Sequence, residues 1–189
     1  MNWTLPNLLS VLRLGLVPIF IIAVINGRPA EALALMALAG LTDALDGYTA
    51  RYLKQQSLLG SYLDPIADKL LMTAAYVVLA IPNLSQGVRI PVWVTVLVIT
   101  RDVMILGLAV VLSMTHGARR FPPTLLSKLN TAFQVIAVLV VLTSGLWPSA
   151  APWARLCIYL VAVLTVVSGL QYAFRIAAFR GESDGAPMS

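Results

Sequence analysis

The chain predicts an all-α membrane protein, a bundle of six transmembrane helices, and three observations carry that class. Of its 189 residues 59% are hydrophobic and only 11% are charged, with a mean hydropathy of +0.88. That is the profile of a polytopic membrane protein and not of a water-soluble domain. Apolar stretches of about 20 residues, the length that crosses a bilayer core, fall at 7–26, 32–53, 63–82, 90–114, 124–146 and 153–177. Turn-forming residues separate them, and Trp3, Trp93, Trp147 and Trp153 stand near their ends, where indole rings favour the interface.

The first stretch ends at Asn26-Gly27-Arg28-Pro29. Arg13 sits inside it rather than before it, and no small-x-small cleavage pattern follows, so it reads as a retained span and not a signal peptide. The second and third stretches carry acidic residues and are treated below. Pro82-Asn83 separates the third from the fourth, and His116-Gly117 with Pro122-Pro123 the fourth from the fifth. Pro148 and Pro152 precede the sixth. Residues 1–180 form a single membrane domain, and 181–189 a polar, frayed tail.

One cysteine, Cys157, and one histidine, His116, exclude an intrachain disulfide framework and a Cys/His zinc site. Cys157 lies in an apolar helical run and reads as an inert buried thiol. The net charge of +5 does not point to nucleic acid, because the basic residues are scattered through membrane-flanking loops. Six spans put both termini on one side. Loops there hold Arg51, Lys54, Arg119, Arg120 and Lys128, with Arg175 and Arg180 at the last exit, against Arg28, Arg89 and Arg155 opposite. By the positive-inside rule the richer side is cytoplasmic.

The most informative segment is Asp43-Ala44-Leu45-Asp46-Gly47-Tyr48-Thr49-Ala50-Arg51, followed by Gly60-Ser61-Tyr62-Leu63-Asp64-Pro65-Ile66-Ala67-Asp68. A charged side chain near the bilayer centre costs about 2.5–3.5 kcal/mol on insertion scales, so four acids in such segments demand a use. Asp43 and Asp46 are i, i+3 and Asp64 and Asp68 are i, i+4, so each pair projects from one helix face. Two such faces turned toward each other make a cage of hard oxygen ligands suited to one or two magnesium or manganese ions, open to the cytoplasmic side.

Two blander uses compete. The acids could form structural ion pairs with Arg51, Lys69 or Arg101, although buried pairs gain little after desolvation. They could line an ion or proton transport path, although neither an internal repeat nor a pair of broken helices supports this. A metal-dependent enzyme acting on a phosphorylated lipid needs cations for the phosphates, a nearby basic group and a carboxylate base, and the motif supplies all three. Gly47 and Ala50 leave a bare helix surface for a flat group, or for a neighbouring helix. Gly60 widens the same opening on the facing helix.

Asp-x-x-Asp-Gly-x-x-Ala-Arg, eight residues, then Gly-x-x-x-Asp-x-x-x-Asp resembles the signature of the CDP-alcohol phosphatidyltransferases, matched here by Asp43, Asp46, Gly47, Ala50, Arg51, Gly60, Asp64 and Asp68. The opening Leu5-Pro6-Asn7-Leu8-Leu9-Ser10-Val11-Leu12-Arg13, the run from Ala39 to Leu71, and Ser127-Lys128-Leu129-Asn130-Thr131-Ala132 also look like this family. The resemblance implies six transmembrane helices, commonly in a homodimer, and a CDP-diacylglycerol donor that releases CMP. It implies that Asp43, Asp46, Asp64 and Asp68 bind one or two divalent metals, magnesium or manganese. Asp46, Gly47, Ala50, Arg51 and Gly60 would contact the CDP moiety, and Asp68 would be the base. Spacing alone leaves the base open, since Asp64 precedes Pro65 and so falls at a helix start or a kink.

For the acceptor, Arg101 and Lys128 are the candidate binding residues. Enzymes of the family that use glycerol 3-phosphate look different here. They show a second arginine eight residues after the first in span four and a second lysine in span five, where this chain has Ala109 and Asn130. Arg101-Asp102-Val103-Met104 and Ser-Lys-x-Asn-Thr resemble the cardiolipin synthases, which use phosphatidylglycerol. Fewer cations suit an acceptor with one diester charge rather than a free phosphate. The favoured reaction is therefore phosphatidyl transfer to phosphatidylglycerol, giving cardiolipin and CMP, with glycerol 3-phosphate the alternative acceptor. The absence of an Arg/Ser-rich amphipathic presequence fits a bacterial cytoplasmic membrane, or a mitochondrial inner membrane for a trimmed organellar chain.

Overall fold

The computed structural model describes residues 5–53, 58–115 and 125–184, with side chains described at 11–42, 66–107 and 125–172. Among these residues the chain is all-helical, without strands: α1 (Leu5–Ile25), α2 (Pro29–Leu53), α3 (Leu58–Ala80), α4 (Val92–Thr115), α5 (Leu125–Ser144), a 3-10 turn (Pro148–Ala150) and α6 (Ala151–Asp184). Two described segments, Leu125–Ser144 and Pro148–Tyr172, are long and apolar enough to cross a membrane, and two shorter apolar ones lie at Val11–Ile25 and Pro29–Thr42.

Two departures from the expected bounds have physical causes. α3 begins at Leu58, so Pro65 does not start it but lies within it. Proline has no N–H, so it leaves the carbonyl of Ser61 without its helical donor while the helix continues through Asp64 and Asp68. α6 continues past the apolar run through residues 181–184, about 51 Å in all, because a helix need not stop where its hydrophobic stretch does. Residues 185–189 lie outside the described ones.

α1 packs against both α2 and α3, α5 pairs with α6 and touches α2, and α4 rests on α6 and α3. Their shared core includes Phe20, Met36, Leu71, Tyr76, Val94, Val138 and Val161. The surface is apolar like the core, and several polar side chains are held inside. Ile19, Ile22 and Ile25 on α1, Val103 and Leu106 on α4, and Leu156, Val163 and Leu170 on α6 are exposed, while Arg13, Arg101, Asn130 and Gln134 are buried. An apolar perimeter of this extent matches a lipid-facing surface rather than a wet one.

The connections remote from the acidic motif are tightly built. α1 ends in a Schellman motif: Arg28 N–H donates to the Ala23 carbonyl (2.9 Å) and Gly27 N–H to that of Val24 (3.0 Å). Gly27 takes φ +66°, and Pro29 then opens α2 at the position where its missing N–H costs nothing. The 81–91 segment docks on the end of α5, where Val88 N–H donates to Ser144 Oγ at 2.9 Å. A Cβ on Gly87 would lie 2.3 Å from Ser144 Oγ and 2.5 Å from the backbone nitrogen of Gly145. Since one of those atoms is main chain, Gly87→Ala is expected to destabilise by roughly 1–3 kcal/mol. A lowered Tm of the solubilised protein would show this, and an unchanged Tm would mean that the segment is not held against α5.

Candidate functional site

Both halves of the acidic motif sit on unbroken helix. α2 runs through positions 43 to 51 and α3 through 60 to 68, so the i, i+3 and i, i+4 spacings are realised. Only four residues, 54–57, join the two helices. At 1.5 Å per residue Asp46 and Asp64 lie about 10 Å from the helix ends nearest that connection, and Asp43 and Asp68 about 15 Å. Each acid thus has a counterpart about equally far along the other helix. Four carboxylates offer only oxygen donors, the chemistry that hard divalent cations take, so the set fits a magnesium or manganese ion.

Of the expected site side chains, Asp68, Arg101 and Lys128 are described; those of Asp43, Asp46, Gly47, Ala50, Arg51, Gly60 and Asp64 lie outside the described ones. Asp68 is half-buried. Among the described residues no group of three metal-ligating side chains occurs, and Asp43, Asp46 and Asp64 lie outside them.

The residue after Asp68 anchors a polar network that joins four helices. Lys69 Nζ on α3 donates to Asp102 Oδ2 on α4 at 2.5 Å, and Arg101 Nη1 donates to Asp102 Oδ1 at 2.9 Å. Arg101, only 5% exposed, also donates through Nη2 to Ser127 Oγ on α5 (2.7 Å) and to Ser168 Oγ on α6 (2.8 Å). Nε of Arg101 lies 3.3 Å from the same Ser168 oxygen. The structural ion pairs that Lys69 and Arg101 offered to the motif are thus made with Asp102, a carboxylate outside it.

The Ser127–Thr131 segment divides between inside and outside. Ser127 and Asn130 are buried, Lys128 is exposed, and Asn130 Oδ1 accepts from Thr165 Oγ1 on α6 at 3.2 Å. Arg101 therefore turns inward to Ser127, whereas Lys128 points away from the bundle interior. Asn130 is 0% exposed and faces α6, so a lysine there would carry its ammonium into the core rather than into an open cavity. Gln134, one turn on and also 0% exposed, has a side-chain amide without a hydrogen-bond partner at either atom, a pattern that buried water normally satisfies.

Removal of the Asp102 carboxylate is the severest test of this network. Asp102→Leu leaves the Arg101 guanidinium buried without its counter-charge, and breaking a buried pair from one side costs about 3–5 kcal/mol. Lys69, with 38% side-chain exposure, adds less because solvent screens it. A large fall in Tm is expected for Asp102→Leu and a smaller one for Asp102→Asn; equal stability of all three proteins would show that the hydroxyls of Ser127 and Ser168 suffice.

The sequence profile of the CDP-alcohol phosphatidyltransferases matches residues 3–168, which hold the whole acidic motif and the Arg101 network. The chain belongs to this family. Human cardiolipin synthase (CMP-forming) is 41% identical over 152 residues, covering 72% of this chain and 49% of the human protein. The CDP-diacylglycerol–glycerol-3-phosphate 3-phosphatidyltransferase of Bacillus subtilis is 34% identical over 187 residues, covering 90% of this chain and 93% of that protein. A probable phosphatidylglycerophosphate synthase of Mycobacterium tuberculosis is 35% identical over 184 residues, covering 90% and 80%. The chain thus spans about half the length of the human and rat cardiolipin synthases it matches.

In this CDP-alcohol phosphatidyltransferase family member, sequence reasoning missed Asp102, Ser168 and Gln134 as parts of the bundle's polar interior. A signal existed for some of them. Ser127, Asn130 and Gln134 recur at i, i+3 and i+7, the spacing of one helix face, inside an apolar run.

Proposed function

We propose that the protein is a six-span membrane enzyme that transfers a phosphatidyl group from CDP-diacylglycerol to an acceptor hydroxyl, releasing CMP. The observation that carries this reading is the family match across residues 3–168, with the complete acidic motif inside it. The apolar perimeter supports the membrane placement, with the motif on the cytoplasmic side and two copies in a homodimer as the resemblance implies.

Asp43, Asp46, Asp64 and Asp68 would hold the divalent ion or ions. When bound, these supply neutralisation of the donor's pyrophosphate charge. Asp46, Gly47, Ala50, Arg51 and Gly60 receive the CDP moiety, the small residues admitting the nucleoside and Arg51 its phosphates. Asp68 accepts the proton of the acceptor hydroxyl, whose oxygen attacks the phosphorus bearing diacylglycerol. The phosphoanhydride bond then breaks, and CMP leaves with the bonding pair. Lys128, free on the outer face of α5, is suited to meet the acceptor's phosphate; Arg101 acts on the same side by holding α4, α5 and α6 in register.

The acceptor is phosphatidylglycerol and the product cardiolipin. The likeness of Arg101-Asp102-Val103-Met104 and Ser127-Lys128-Leu129-Asn130-Thr131 to the cardiolipin synthases supports this, since a small dianion needs more charge-assisted hydrogen bonds, each worth about 1.5–3 kcal/mol, to offset its desolvation. Glycerol 3-phosphate is the second reading, favoured by similarity along 93% of the Bacillus subtilis enzyme. Purified protein given CDP-diacylglycerol and each acceptor in turn is expected to release CMP with phosphatidylglycerol and little with glycerol 3-phosphate. Efficient formation of phosphatidylglycerophosphate would reverse the choice and leave the transfer reaction standing.

A further inference from the structure

At the end of the bundle remote from the acidic motif, a cleft of about 570 Å³ opens between the 81–91 segment, the end of α5 and the start of α6. That volume is within the range of small-ligand sites. Arg89 and Arg155 both line it, and no acidic residue does. Neither arginine makes an ion pair or hydrogen bond among the described residues, whereas Arg28, at the same end, is paired with Glu31. Glu31 is the one acid of the whole sequence outside the motif, Asp102 and the C-terminal residues Glu182 and Asp184. This end of the molecule therefore carries uncompensated positive charge focused on one concavity.

The cleft is also built rather than incidental. Its floor is the 81–91 segment held on Ser144 through Val88 N–H, with Gly87 in a close approach that only glycine permits. Tyr159 lines it, and its ring stands 6.4 Å from that of Trp93. Trp93 and Trp153 are half or more exposed on the adjoining helix starts. Arginines beside amphipathic rings, at the start of an apolar segment that runs from Pro148 to Tyr172, are placed at headgroup level.

We propose that the Arg89–Arg155 cleft binds the phosphodiester of an anionic phospholipid in the leaflet opposite the catalytic motif. At 1.5 Å per residue the cleft end of α3 lies about 18 Å beyond Asp68, so this is a second lipid site and not part of the first. The proposal rests on the membrane placement given above but not on the transfer reaction. A free phosphate shares the chemistry, but it lacks acyl chains that would hold it beside the apolar faces of α4 and α6.

The test uses the full chain, delipidated and metal-free, with phosphatidylmethanol as probe, since that lipid carries a diester charge but no acceptor hydroxyl. Native mass spectrometry should show phosphatidylmethanol bound on the order of tenfold or more tighter than phosphatidylcholine. Arg89→Gln with Arg155→Gln should erase that preference, and Arg28→Gln should keep it. On the unaltered protein, phosphatidylmethanol should protect Arg89 and Arg155 from phenylglyoxal while phosphatidylcholine does not, a readout that needs no variant to fold. Preference retained in the double variant, or no protection, would overturn the site. Equal displacement of the lipid by inorganic phosphate would overturn the assignment to a lipid. CMP release is read separately, and its absence would sink the proposed reaction without touching this one.

Discussion

Chelation with EDTA is expected to abolish CMP release, and Asp43→Asn or Asp46→Asn to do so with helical content unchanged. The four acids stand at i, i+3 and i, i+4 on α2 and α3, and they bring only hard oxygen donors. Ionised together with no cation among them they would repel strongly, and the pyrophosphate of the donor would add to that repulsion. A divalent ion resolves both at once, so its removal should stop the reaction rather than slow it. Restored turnover on adding magnesium or manganese, but not potassium, completes the expectation. Full activity in a metal-free preparation would remove the central idea.

Asp68→Asn is expected to lower turnover by about 10² to 10⁴-fold, the usual contribution of a positioned proton acceptor. The amide keeps the size of the carboxylate and one oxygen but cannot take a proton. Donor binding should therefore remain measurable, and the magnesium concentration for half-maximal activity should rise by less than turnover falls. Near-normal turnover would pass the role of base to another acid, with Asp64 the first to examine. A phosphorothioate donor chiral at the reacting phosphorus should give inverted product; retained configuration would mean a covalent enzyme intermediate and two displacements.

Hydrophobic length and turn residues were enough to locate every helix among the described residues. Of the two places Pro65 offers in the sequence, a helix start or a kink, the first is excluded, since it lies seven residues into α3. A helix can continue past a proline when tertiary contacts offset the missing hydrogen bond, and such contacts are not visible in local propensity. The acidic motif was legible because its chemistry is encoded in spacing along single helices. The Lys69–Asp102–Arg101 network was not, since its partners come from α3, α4, α5 and α6 and are brought together by topology alone. Serine carries no charge to betray such a role: Ser127 stands out only within a family-like segment, Ser168 reads as an ordinary member of an apolar run, and neither points to Arg101.

That arginine also sets a timetable for biogenesis. Its hydroxyl partners lie 26 and 67 residues further along the chain. At about 5–20 residues per second the ribosome needs roughly 3–13 s to make Ser168 after Arg101. Through that interval the guanidinium has Asp102 as its counter-charge, and Ser127 once it is made, but not the Ser168 hydroxyl that completes its shell. α4 is thus born before it is fully soluble in lipid, and its final seating waits on α6, the long apolar helix that arrives last. Insertion of the charged helices and assembly of the bundle become one event, finished from the C-terminal end, and truncation before Ser168 should strand α4 on the insertion machinery.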